Sequence, residues 1–554
     1  MAKRRDLLKM GLVSGAAAFL NPRRTSAQLC PPDPGVPGTT PGAPILPPSP
    51  PTTAFVSPLF IPGVLPPVPS LNPPPVPSAH QLYDQYPPQV LYRQILQATS
   101  HSFHPQFPPT TMFLFDGTFP GPTILANYGV PILVRRYNNL PQNAVGFGSP
   151  FVTTHLHNFH SAWESDGNPN RGNYFGPGTF YDYHYAMFPA GNDPNERMNQ
   201  LWYHDHMEGF TAANVYKGML GCFYIRDDQD TGNENDTSST AWRLPSGKYD
   251  VPVKIIGMQF DKNGILAFDN FNTDGILGDK YVVNGNIQPY LNVERRKYRL
   301  RILNAGPSRF LDVYLGTDAV NPNDGLDFTV LSNDGNFFSA PRTVRHLAMA
   351  PANRHDVIVD FSQFSVGTTL YLQNRQFQTD PRGPDLPIRT TNPGDSMMKI
   401  NVVPATGPDH SQVPSTLRPL PSINLDEVVA RRTFNFDYQG GLWTINGKIY
   451  DHSTPLVTVT QNTAEIWTIR SGGNLWSHPI HIHFEEFQIL SYNGKPVPPD
   501  SIDFQARKDV MRLLPNDEYQ IFIRFRDFLG SYVMHCHNIF HEDHAMMWRW
   551  DIVP

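Results

Sequence analysis

The sequence predicts an all-β protein built from three copies of one β-sandwich unit, and three observations carry that reading. The first is an internal repeat of turn and strand. Asp116-Gly117, Asn284-Gly285 and Asn446-Gly447 are turn dipeptides, each followed after a short gap by an alternating stretch: Leu133–Asn138, Tyr298–Asn304 and Glu465–Arg470. Asp-Gly and Asn-Gly flanked by period-two patterns are hairpin signals. The second observation is spacing. The turn glycines are 168 and 162 residues apart, one sandwich domain per interval. The third is composition. In 554 residues, room for about three to four domains, only 17% are charged and 12% are aromatic, which suits a β-rich globular chain better than a helical bundle or a disordered one.

Taken along the chain, residues 1–27 read as an export signal. Arg4-Arg5 with Leu7, Leu8 and Lys9 precedes the apolar stretch Met10–Leu20 and then Thr25-Ser26-Ala27. The paired arginines predict the twin-arginine route to the periplasm, with a mature chain starting near Gln28. The apolar stretch is short for a bilayer span, and the mature chain has no other run long and apolar enough to be one. Residues 28–85 form a Pro-rich segment, with 19 prolines between Pro31 and Pro77. Such a stretch makes neither helix nor central strand and predicts an extended arm; its composition leaves open whether it is ordered. The three units then run over 86–240, 241–405 and 406–554. The formal net charge is −6, from 43 basic and 49 acidic residues, so there is no basic footprint for nucleic acid. Three cysteines exclude a disulfide-dense scaffold. Cys222, within Met219–Ile225, fits a buried strand, and a bridge from it to Cys30 stays open.

The chemistry concentrates at the carboxyl end. His535-Cys536-His537 is followed by His541 and Met546. On an extended strand neighbouring side chains alternate faces, so Cys536 points one way and the two histidines the other. A thiolate, imidazoles and a weak thioether make up a blue-copper ligand set. In the run His478 to His483, His481 and His483 share a strand face, while His478, at an odd offset from His481, tends to the opposite one and can join Cys536. Two further pairs lie upstream, His155 with His157 and His204 with His206. Eight histidines (155, 157, 204, 206, 481, 483, 535 and 537) then converge, a number that suits three copper ions, with a fourth at the cysteine.

These four motifs, together with Thr154–Gly167, Leu201–His206 and Asn214–Gly221, resemble those of the multicopper oxidases, and in particular the bacterial spore-coat laccase and bilirubin oxidase branch. The resemblance implies that each sandwich unit is a cupredoxin-like Greek-key domain. It implies a type 1 copper on His478, Cys536, His541 and Met546, and a type 2 copper on His155 and His481. The type 3 pair takes His157, His204 and His537 on one ion and His206, His483 and His535 on the other. Every ligand position is filled. Asn158-Phe159-His160 stands where that branch often has small glycines, which puts the local loop shape in question. By the same resemblance Asp166 and Glu542 line solvent routes to the inner cluster and relay protons, which agrees with what an ionisable carboxylate can do there.

The implied activity is that of a laccase-like oxidase, taking single electrons from phenols or aromatic amines and reducing dioxygen to water. The alternative keeps the copper centres and oxidises Mn(II) or Cu(I). The partners are a small-molecule or metal-ion electron donor and dioxygen. The physiological donor and the oligomeric state carry no readable code.

Overall fold

The turn dipeptides of the internal repeat close each unit in the same way. In the computed structural model, Asp116 and Gly117 (φ +49° and +73°), Asn284 and Gly285 (+46° and +85°) and Asn446 and Gly447 (+53° and +70°) are all left-handed. Two consecutive left-handed residues make the tight hairpin turn that matches strand twist, and Asp, Asn and Gly tolerate it best. Each acidic or amide turn residue also pairs with one neighbouring strand residue. Its N–H donates to that residue's carbonyl and its side-chain oxygen accepts that residue's N–H: Asp116 with Ile95 (2.7 and 3.0 Å), Asn284 with Lys254 (3.0 and 2.8 Å), Asn446 with Asn435 (2.8 and 2.7 Å).

The strands after the turns follow the repeat too. Ile132–Asn139 lies parallel to Val90–His101, Lys297–Asn304 parallel to Asp250–Met258, and Thr463–Ser471 parallel to Val428–Gln439. Six sheets result, two per unit: five and four strands within Pro67–Arg226, seven and five within Asp250–Val403, six and five within Val428–Val553. Each pair of sheets encloses its own apolar core. A further core joins the units, with Trp202 and Val215 from the first, Ile256 and Ala352 from the second, and Val510, Ile539 and Phe540 from the third. Burying an aliphatic or aromatic side chain is worth roughly 1.5–3 kcal/mol, so this shared core holds the first and third units face to face.

The structure describes residues 46–143, 145–169, 173–269, 271–317, 325–473 and 475–554. The expected export signal and Cys30 lie outside the described residues. Cys222 is buried on the Leu220–Arg226 strand and forms no disulfide among the described residues. The described part of the Pro-rich segment is an arm that crosses all three units. Ser49 and Leu59 donate N–H bonds to Asp279 and to the Tyr290 carbonyl of the second (2.7 Å each), and Leu65 to the Thr123 carbonyl of the first (2.8 Å). The Gln81 amide nitrogen then donates to both the Glu164 carboxylate and the Leu529 carbonyl, tying the first unit to the third (3.1 and 3.0 Å). Prolines lack an N–H, so much of the arm is held through its carbonyls instead, as Pro47 is by Gln259 and Pro73 by Arg135 (2.6 Å each). No helix among the described residues is long and apolar enough to cross a membrane.

Candidate metal centre

Four strands carry the histidine motifs: β1 (Thr154–His157) and β2 (Gln200–Asp205) in the first unit, β3 (His478–Ile482) and β4 (Gly530–Cys536) in the third. β1 pairs antiparallel with β2 so that His155 faces His204, and β3 pairs antiparallel with β4 so that His481 faces His535. His206, His483 and His537 each follow the last residue of a strand, where the chain turns. Three short helices brace them: α1 (Trp163–Asp166), α2 (Thr211–Tyr216) and α3 (Ile539–Asp543).

The alternation of faces divides the motifs in two. On one side Cys536 Sγ lies 3.5 Å from His478 Nδ1 and 3.5 Å from His541 Nδ1. Met546 is fully buried in the same core, and its backbone brackets the group, accepting from Cys536 N (3.1 Å) and donating to the His541 carbonyl (2.9 Å). The indole of Trp443 stacks on His541, ring centres 3.7 Å apart, and Asn538 Nδ2 sits 3.0 Å from His541 Nε2.

On the other side the eight histidines meet. His155 Nε2 is 3.4 Å from His481 Nε2 and His157 Nδ1 3.4 Å from His204 Nε2. His535 Nε2 lies 3.2 Å from His206 Nε2 and 3.3 Å from His483 Nε2. The ligating atoms of three triads (His155, His157, His481; His157, His204, His537; His206, His483, His535) lie within 4.8 Å of one another in each triad, as do those of His478, Cys536 and His541.

The outward nitrogens explain why the inward ones are free. His155 Nδ1 donates to the Asp166 carbonyl (2.5 Å), His204 Nδ1 to the Asp205 carbonyl (2.8 Å), His481 Nδ1 to the Asp509 carbonyl (3.0 Å) and His483 Nδ1 to the Asp166 carboxylate (2.8 Å). His535 Nδ1 lies 2.9 Å from Glu542 Oε2, and His206 Nδ1 3.4 Å from Glu542 Oε1. Each outward hydrogen bond, to which His535 Nδ1 adds one to the Cys536 carbonyl (3.2 Å), fixes a proton on the outer nitrogen and leaves the inner lone pair pointing into the cluster, while His206 Nδ1 has only the Glu542 charge near it. Burial keeps eight of the ligand rings neutral: it pulls His478, His206 and His537 down to about 3 and His157, His204, His481, His483 and His541 well below the ordinary imidazole value, with mutual repulsion adding to it at every one of them but His478. Both ring nitrogens of His537 are buried with no hydrogen-bond partner among the described residues. Lone pairs packed against lone pairs, with orphaned buried nitrogens between them, are costly for protein alone; a soft divalent or monovalent transition metal satisfies them, and an imidazole-rich set with one thiol fits copper. Burial pushes the Cys536 thiol well above its usual value, and a coordinated metal would remove that proton outright.

The structure thus brings together all fourteen residues singled out from the sequence. Asp166 and Glu542, both fully buried, stand behind the His206, His483 and His535 triad. The loop departure at Asn158 is accommodated: Asn158 itself takes φ +72°, where glycine is otherwise favoured, and donates to the Asp334 carbonyl. Asp543, next to Glu542, instead accepts the N–H groups of Thr211 and Ala212 (2.9 Å each), holding the first turn of α2. Sequence reasoning missed Asp509, whose carboxylate oxygen lies 3.2 Å from His157 Nε2. No motif spacing marks it.

Comparison with known proteins agrees with this geometry. Residues 97–230 and 422–554 each match a multicopper oxidase domain family. Bilirubin oxidase of Albifimbria verrucaria is 33% identical over 470 residues, covering 82% of this chain and 75% of that protein. A laccase of Bacillus subtilis is 28% identical, covering 86% and 97%. Among solved structures, the McoA multicopper oxidase of Aquifex aeolicus superposes with a TM-score of 0.73 at 23% identity, covering 91% of this chain and 100% of that one. A chain that carries these paired histidine motifs on matching domains belongs to the multicopper oxidase family.

Proposed function

We propose that the protein is a laccase-like oxidase that couples one-electron oxidation of phenolic or aromatic-amine donors to the four-electron reduction of dioxygen to water. The observation that supports it best is the placement of Cys536 between His535 and His537: the buried thiol is bonded through the backbone directly to two of the eight histidines of the nest. His478, Cys536, His541 and Met546 would hold the type 1 copper, His155 and His481 the type 2 ion, and the triads of His157, His204, His537 and of His206, His483, His535 the type 3 pair. Copper held there would supply the redox chemistry, one-electron acceptance at the outer site and four-electron reduction of dioxygen at the inner one.

The chain's own residues do the rest. Trp443 stacked on His541 and the core around Cys536 keep water from the thiolate. Making two waters consumes four protons, and Asp166 and Glu542 are placed to hold and pass them, each against the outer nitrogen of an imidazole in the same triad. The donor identity rests on the laccase and bilirubin oxidase relatives. A Cu(I) donor finds no methionine-rich insertion among the 15 methionines, and the pair Met397-Met398 is wholly buried in the core of the second unit. Oxygen uptake measured with a phenol and with Mn(II) side by side decides the donor class. Cys536→Ser should lose the blue colour together with donor oxidation; full activity in a copper-replete Cys536→Ser preparation would refute the proposal. Twin-arginine export to the periplasm belongs to the same reading, on Arg4-Arg5 and the apolar stretch behind them. Replacing both arginines by lysine should leave the folded chain in the cytoplasm, and undiminished periplasmic protein from that variant would remove this part.

A further inference from the structure

Six of the imidazoles described above turn Nε2 inward, whereas His157 is reversed and presents Nδ1 to His204. That orientation requires the proton of His157 to sit outward, on Nε2. A buried N–H with no acceptor costs roughly 1–3 kcal/mol. The atom facing it is Asp509 Oδ2 at 3.2 Å, off the angle of a good hydrogen bond, and neither atom has another partner among the described residues. The same residue acts on a second ring, since its backbone carbonyl accepts from His481 Nδ1 (3.0 Å) and Ile482 N (3.1 Å). Asp509 therefore touches one imidazole of the first unit and one of the third.

Asp509 is itself held from the second unit, which offers no ligand motif. Arg354 Nη1 donates to Asp509 Oδ1 at 2.8 Å. The guanidinium is fully buried and fixed on its own unit by the carbonyls of Asp334 (2.9 Å) and Ala352 (3.1 Å). The Asp334 carbonyl is also the one that accepts from Asn158, next in sequence to His157.

We propose that Asp509 is a positioning residue for the metal nest: it fixes the tautomer of His157 and the ring angle of His481, and Arg354 makes the second unit part of that support. The inference rests on the copper reading above. Metal-binding histidines are commonly oriented by such an outer carboxylate, and its loss typically costs 10–100-fold in affinity or activity.

The test uses the full chain loaded with copper alone. Blue absorbance reports the Cys536 site, and copper per chain against a competing chelator reports the nest. Asp509→Ala should keep the blue absorbance while its histidine-bound copper is lost at roughly 10–100-fold lower chelator concentration than in the wild type. Asp509→Asn, which keeps an acceptor oxygen, should fall between the two. An Asp509→Ala chain that retains all its copper as tightly as the wild type overturns the proposal. Should Asp509→Ala fail to fold, Asp509→Asn decides by imidazole nitrogen NMR of the copper-free chain. Its amide can accept from or donate to His157, so two tautomers should replace one; a single tautomer protonated at Nε2, with wild-type copper retention, is the contrary result. A wild-type chain without blue absorbance would instead sink the copper reading itself, so the two failures are distinct.

Discussion

Asn158 shows how a single residue can carry a backbone shape that its type only permits. It sits at φ +72° beside His157 and donates to the Asp334 carbonyl. Asn158→Val should cost about 2–3 kcal/mol, from a β-branched residue forced left-handed and a lost buried hydrogen bond. Asn158→Gly keeps the backbone and should cost about 1 kcal/mol. Thermal unfolding of the two variants checks the order; equal losses would mean that the backbone conformation there is unimportant. The metal-binding types were legible from sequence because ligation demands His, Cys and Met at fixed offsets along a strand. Asp509 was not, because its role depends on a carbonyl and a carboxylate reaching rings 28 and 352 residues away in the chain. The adjacent pair Glu542 and Asp543 makes the same point, for one faces His535 and the other caps α2.

At the scale of elements, the strands announced themselves through period-two alternation and the turns through Asp-Gly and Asn-Gly. Parity separates His478 from His481, and β3 does place His478 at Cys536 and His481 at His155. Two further turns of the same kind, Asp334-Gly335 and Asn493-Gly494, are left-handed at both positions and lie outside the threefold repeat, so the dipeptide marks a hairpin and spacing alone marks the unit. The short helices escaped notice. With four to six residues each, α1 to α3 show no helical periodicity and exist because tertiary partners satisfy their ends, as Asp543 does for α2. The proline content of the arm told of extension but not of its course, since its docking depends on donors and acceptors that lie far away in the chain.

At the scale of the molecule, acid stability should follow the buried ion pair between Asp230 and Arg299 of the second unit. Burial would raise Asp230, but Arg299, donating to both its oxygens at 2.8 and 2.7 Å, holds it down to about 2. A depressed carboxyl stabilises the fold above its unfolded value of 3.8 and loses that contribution as pH falls toward its folded one. The contribution is about 2 kcal/mol. Wild-type unfolding temperature should therefore drop between about pH 4 and pH 2 by more than that of Asp230→Asn, and parallel pH profiles for the two would contradict the assignment.

The arm has a consequence for the order of assembly. Some groups that receive it, Thr123 and Glu164, lie close behind it in the chain, whereas Asp279, Tyr290 and Leu529 emerge from the ribosome long afterwards. Domains tend to fold in turn as they are synthesised, so the arm's contacts with the first unit form early while those with the second and third wait for these units to close, and the completion of its docking is the latch that reports a finished molecule.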